Sequence, residues 1–67
     1  MKIFAERLKD LRNEKGISLK YLAKEIGVTD MAISRWENEQ RIPNIENLAS
    51  LAKYFGVSTD YLLGLED

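Results

Sequence analysis

Residues 17–38 read ISLKYLAKEIGVTDMAISRWEN. Leu19, Leu22, Ala23 and Ile26 recur at the i, i+3, i+4, i+7 spacing of one helix face. Gly27 stops that run, because glycine accepts the left-handed backbone that ends a helix. Thr29 then supplies a side-chain oxygen suited to start the next one. Ile33 and Trp36, three apart, are expected to face inward with Ala32 at their edge. The spacing predicts helices over Leu19–Ile26 and Asp30–Asn38, separated only by Gly27, Val28 and Thr29. Two short helices joined by a tight glycine-containing turn form a helix-turn-helix.

The same punctuation repeats outward along the chain. Gly16, Gly56 and Gly64 each follow a run with helical apolar spacing. Ser18, Thr29 and Ser58 are cap formers, each flanked by a hydrophobic-staple pair: Ile17 with Leu22, Val28 with Ile33, Val57 with Leu62. Asn44, after the lone Pro43, marks a fourth start. The reading is five helices: Ile3–Lys15, Leu19–Ile26, Asp30–Asn38, Ile45–Phe55 and Thr59–Leu63. No alternating strand pattern occurs, so the fold class is all-α, as one compact domain over residues 1–67.

Composition narrows the chemistry. The chain has neither Cys nor His, which excludes disulfides, zinc-finger ligation, thiol nucleophiles and imidazole catalysis. No paired-carboxylate site, glycine-rich phosphate loop or metal-ligand cluster is visible, so no catalytic residue, metal or cofactor is expected. The first fifteen residues are studded with charge, which is unlike a signal segment, and no apolar run is long enough to span a membrane. A cytoplasmic location with no membrane partner and no small-molecule substrate is expected. The net charge of −1 argues, taken whole, against a polyanionic partner. By position it is a polarity: residues 1–35 hold eight basic and five acidic residues, a net +3, and residues 36–67 a net −4.

The basic half contains the helix-turn-helix. Asp30, Met31, Ser34, Arg35 and Asn38 fall on the outward face of the second helix of the pair. Such a face, docked in a major groove, presents its side chains to base edges. Specific strings now accumulate in order: Arg7-Leu8-Lys9-Asp10-Leu11-Arg12, Gly16-Ile17-Ser18, Leu22-Ala23, Ile26-Gly27-Val28-Thr29, Ile33-Ser34-Arg35-Trp36-Glu37-Asn38 and Pro43. Residues 55–64, FGVSTDYLLG, complete them. Across nearly its whole length the chain resembles the Cro/C1-type (XRE-like) helix-turn-helix family, whose fold is that of lambdoid phage repressors.

The resemblance implies a sequence-specific transcription regulator of repressor type that binds double-stranded DNA as a homodimer on an inverted repeat. It implies base reading by Asp30, Met31, Ala32, Ser34 and Arg35. Arginine suits guanine O6 and N7, and Met31 and Ala32 suit thymine methyl groups. It implies phosphate contacts from Ser18, Leu19, Thr29, Asn38 and Arg41, those at Ser18 and Leu19 through backbone N–H groups at a helix start. Lys20, nearer that start than Lys24, is placed for another, the alternative being a solvated face. Arg12 and Glu37 match an ion pair between the first and third helices. Val57, Leu62 and Leu65 are the implied dimer surface. The chain departs from the family at three places. Leu19 and Asp30 stand where Gln is common, and Glu39 where Gly is frequent. Asp30 also has a local reading, a carboxylate stabilised by the helix dipole in a first turn. An antitoxin or protein-interaction module on the same fold is the alternative, favoured by those three residues.

Overall fold

Four side-chain caps set where the helices begin. Ser18 Oγ accepts from the Tyr21 backbone N–H at 3.0 Å, and Thr29 Oγ1 from Ala32 at 3.1 Å. Asn44 Oδ1 accepts from Asn47 at 2.8 Å and Ser58 Oγ from Tyr61 at 2.9 Å. Each satisfies a backbone donor that the helix cannot pair itself, a contribution of about 1 kcal/mol. The computed structural model describes residues 2–66. Its helices are α1 (Lys2–Lys15), α2 (Leu19–Ile26), α3 (Asp30–Glu37), α4 (Ile45–Phe55) and α5 (Thr59–Leu63). Two ends differ from expectation by one residue: α1 starts at Lys2, and Asn38 caps α3 instead of continuing it.

The helix ends share one device. After α1, the Ile17 N–H reaches back to Arg12 O at 3.3 Å and the Gly16 N–H to Asn13 O at 3.0 Å. The same nested pair closes α3, from Gln40 to Arg35 O at 2.9 Å and from Glu39 to Trp36 O at 3.4 Å. This geometry needs a left-handed residue at its centre. Glu39 supplies it at φ 62°, the one non-glycine with positive φ among the described residues. At Gly64 a second constraint is added. A Cβ there would stand 2.8 Å from Ile3 Cγ2, so a side chain would have to push Ile3 aside as well as hold a φ of 78°.

The core follows from these elements. Phe4, Leu8, Leu22, Ile33, Leu51 and Leu62 are fully buried, with Ala23, Trp36 and Ala52 among them. The staple residues Ile17, Val28 and Val57 are half-buried against this cluster. α1 leans on α3 and α5, α4 on α2 and α5, and the α2–α3 pair makes the broadest contact. Leu62 at 0% exposure corrects the expectation that it belongs to a dimer surface. In a five-residue helix it is the one residue that reaches the core centre. Among the described residues no helix is long and apolar enough to cross a membrane.

Candidate nucleic-acid interface

The outer face of α3 is what the buried faces of Ile33 and Trp36 leave over. Asp30, Met31 and Arg35 are exposed, while Ala32 and Ser34 are half-buried. Met31, a large apolar side chain, is 58% exposed. Three shallow grooves divide the surface around this face. Leu19, Asp30, Met31 and Ser34 line the first. Ser18, Lys20, Thr29 and Asp30 contribute to a second, across the turn. Ala32, Arg35 and Arg41 contribute to a third, floored by Trp36 and Pro43. Every expected base-reading residue and every expected phosphate residue except Asn38 lines one of these three grooves, with Asp30 common to two of them.

The position of α3 is locked from behind. Arg12 Nε donates to Glu37 Oε2 at 2.7 Å and Arg12 Nη2 to Glu37 Oε1 at 3.0 Å, a bidentate pair. Arg12 Nη1 also donates to Ile17 O at 2.9 Å, so one guanidinium ties α1, the segment before α2 and the end of α3. The side chains are 15% and 5% exposed, so the pair sits in a low-dielectric setting where its geometry is well fixed. The hydrogen bond to Glu37 raises the Arg12 pKa above its ordinary value, against the opposing pull of burial. No buried side-chain nitrogen or oxygen among the described residues lacks a partner.

Several polar groups on this side already have work. The Ser18 and Thr29 hydroxyls accept from backbone N–H groups as caps, which leaves each O–H free to donate. Asn38 Nδ2 donates to Ser34 O at 2.8 Å and to Ser34 Oγ at 3.3 Å. Its amide therefore faces the end of α3, and a phosphate would have to compete for it. Leu19 lies half-buried against the core, and only its backbone N–H can serve an anion.

One residue with a large structural role was missed. Arg7 donates to Tyr61 O and to Glu66 O, the latter at 2.7 Å, and its guanidinium lies 4.2 Å from the Tyr61 ring centroid. It fastens α1 to α5. Nothing local in the sequence marks a partner 54 positions away. Ile42 and Ile45, at 63% and 85% exposure, are the other omission. Ile42 carried a signal, next to Pro43 and outside any helical run, whereas Ile45 lies three residues before Leu48 and seven before Ala52, at the spacing of an inward face. Among the described residues no group of three or more acidic side chains is placed to hold a metal ion.

This arrangement defines a small helix-turn-helix domain. The profile of a helix-turn-helix family matches residues 8–62, and the chain belongs to that family, of the Cro/C1 type. Its sequence is 39% identical over 64 residues to the HTH-type transcriptional activator BcrR of Enterococcus faecalis, covering 96% of this chain and 31% of that protein. It is 41% identical over 61 residues to repressor protein C2 of Salmonella phage P22, covering 91% of this chain and 28% of that protein. The crystal structure of the P22 c2 repressor in complex with a synthetic operator superposes with a TM-score of 0.87 at 39% identity. That match covers 92% of this chain and 94% of the other. The chain therefore spans about a third or less of the length of these two curated relatives.

Proposed function

We propose that this chain is a sequence-specific DNA-binding transcription regulator of repressor type, reading the major groove with α3. The observation that carries the proposal is the outward face of α3: Met31 and Arg35 exposed, and the helix fixed by the buried Arg12–Glu37 pair. Arg35 is the principal base reader, through guanine O6 and N7. Asp30, Met31, Ala32 and Ser34 read beside it. Lys20 and Arg41 hold phosphates by charge, Ser18 and Thr29 by their free O–H groups, and Leu19 by its backbone N–H. Asn38 acts mainly as the cap that shapes the end of α3. The P22 relative's complex with operator DNA supports this reading.

The acting species is a homodimer on an inverted repeat, with two reading helices about 34 Å apart. Leu65, 72% exposed, and half-buried Val57 remain for its interface, and exposed Ile42 and Ile45 join the candidates. The chain works in the cytoplasm, and it needs neither cofactor nor metal. Selection of duplex DNA from a random pool at stated salt tests the proposal. A two-fold symmetric site is expected, with log K falling linearly against log salt. Absence of any preferred site, or a flat salt dependence, sinks it.

A further inference from the structure

The groove lined by Leu19, Asp30, Met31 and Ser34 combines two chemistries whose joint target the general reading of α3 does not name. Leu19 and Met31 make it apolar, one from the start of α2 and the other from the first turn of α3. The Asp30 carboxylate borders the same depression, and no hydrogen bond or ion pair engages it among the described residues. Each base presents a different combination of groups to such a surface. Thymine offers a C5 methyl group to the apolar side chains but sets its O4 acceptor against the carboxylate. Cytosine offers an N4–H2 donor to the carboxylate but has only hydrogen at C5. Cytosine methylated at C5 offers both, on adjacent ring positions of one major-groove edge.

We infer that this groove is a binding site for 5-methylcytosine, with Asp30 accepting from N4–H and Leu19 and Met31 covering the methyl group. The inference rests on α3 being the reading helix and deepens that reading by naming a modified base. It gives Leu19 a positive role at a position where a polar residue could not serve. It also makes the binding of this regulator responsive to DNA methylation.

The test starts from the site selected from a random pool. Each cytosine of a half-site is replaced in turn by 5-methylcytosine, and each thymine by deoxyuridine, and Kd is measured at fixed salt. One cytosine per half-site is expected at which methylation tightens binding about fourfold, the worth of one buried methyl group. Thymine at that position should bind more weakly than 5-methylcytosine. Met31→Ala and Leu19→Ala should each abolish the gain. Met31 is exposed, so its variant keeps the fold, as unchanged helical circular dichroism would show. Asp30→Ser should remove the preference for cytosine over thymine at that position. A symmetric site with no methylation-responsive cytosine overturns this inference alone, as does a gain that survives in Met31→Ala. A chain that selects no DNA overturns both readings.

Discussion

Glu39 holds a backbone conformation in which its Cβ crowds the following carbonyl, at a cost of roughly 1–2 kcal/mol relative to the ordinary right-handed region. The turn that carries Arg41 past the end of α3 depends on it. Replacing Glu39 by glycine removes the strain but adds freedom to the unfolded chain, worth about 0.5–1 kcal/mol. Glu39→Gly is therefore expected to raise stability by up to about 1 kcal/mol, read as a higher denaturant midpoint with unchanged m-value. Arg35 is constrained differently, since among the described residues no hydrogen bond or ion pair holds its exposed guanidinium. Arg35→Ala should leave stability nearly unchanged. It should cost ~1–3 kcal/mol on the preferred site and relax selectivity at one base pair. Intact site preference in that variant would falsify the assignment of α3 as the reader.

At the scale of elements, α3 is a short helix whose orientation comes from its neighbours. Eight residues cannot hold a helix by propensity alone, so packing and the α1–α3 ion pair must. Arg12→Ala strands the Glu37 carboxylate at 7% exposure, and removing one partner of such a pair costs about 3–5 kcal/mol. A correspondingly large fall in thermal midpoint is expected, with DNA affinity lost in parallel. Glu37→Gln should be milder, because its amide oxygen still accepts from the guanidinium. The elements were legible in the sequence because their signals are local: a cap, a staple and a stop lie within a few residues of each helix end. Facing was legible for Ile33 and Trp36, where spacing and the length of α3 settle it. It was not legible for Leu62, because α5 spans barely more than one turn and shows no periodicity. The Asn38 amide was equally out of reach. Its direction depends on the left-handed turn at Glu39, where glycine would have been the natural signal.

Over the whole molecule, charge is separated along the chain, +3 before Trp36 and −4 from there on. Arg41 is one of only two basic residues in the acidic stretch, and it lines the same groove as Arg35. Arg41→Ala is expected to weaken binding to all sequences alike and to lower the slope of log K against log salt by about one. A change confined to one operator position would instead make Arg41 a base reader. The clasp of α1 by α5 has a kinetic consequence. Arg7 meets backbone oxygens 54 and 59 positions onward, whereas the α2–α3 corner closes over a handful of residues. Distant contacts are entropically the last to form, so the transition state for folding should contain the corner and lack the clasp. Arg7→Met should then speed unfolding while leaving the folding limb of the chevron nearly in place. The reading unit would be assembled early, and the lifetime of the native state would be set by a contact on α1 and α5, elements that carry none of the base-reading residues.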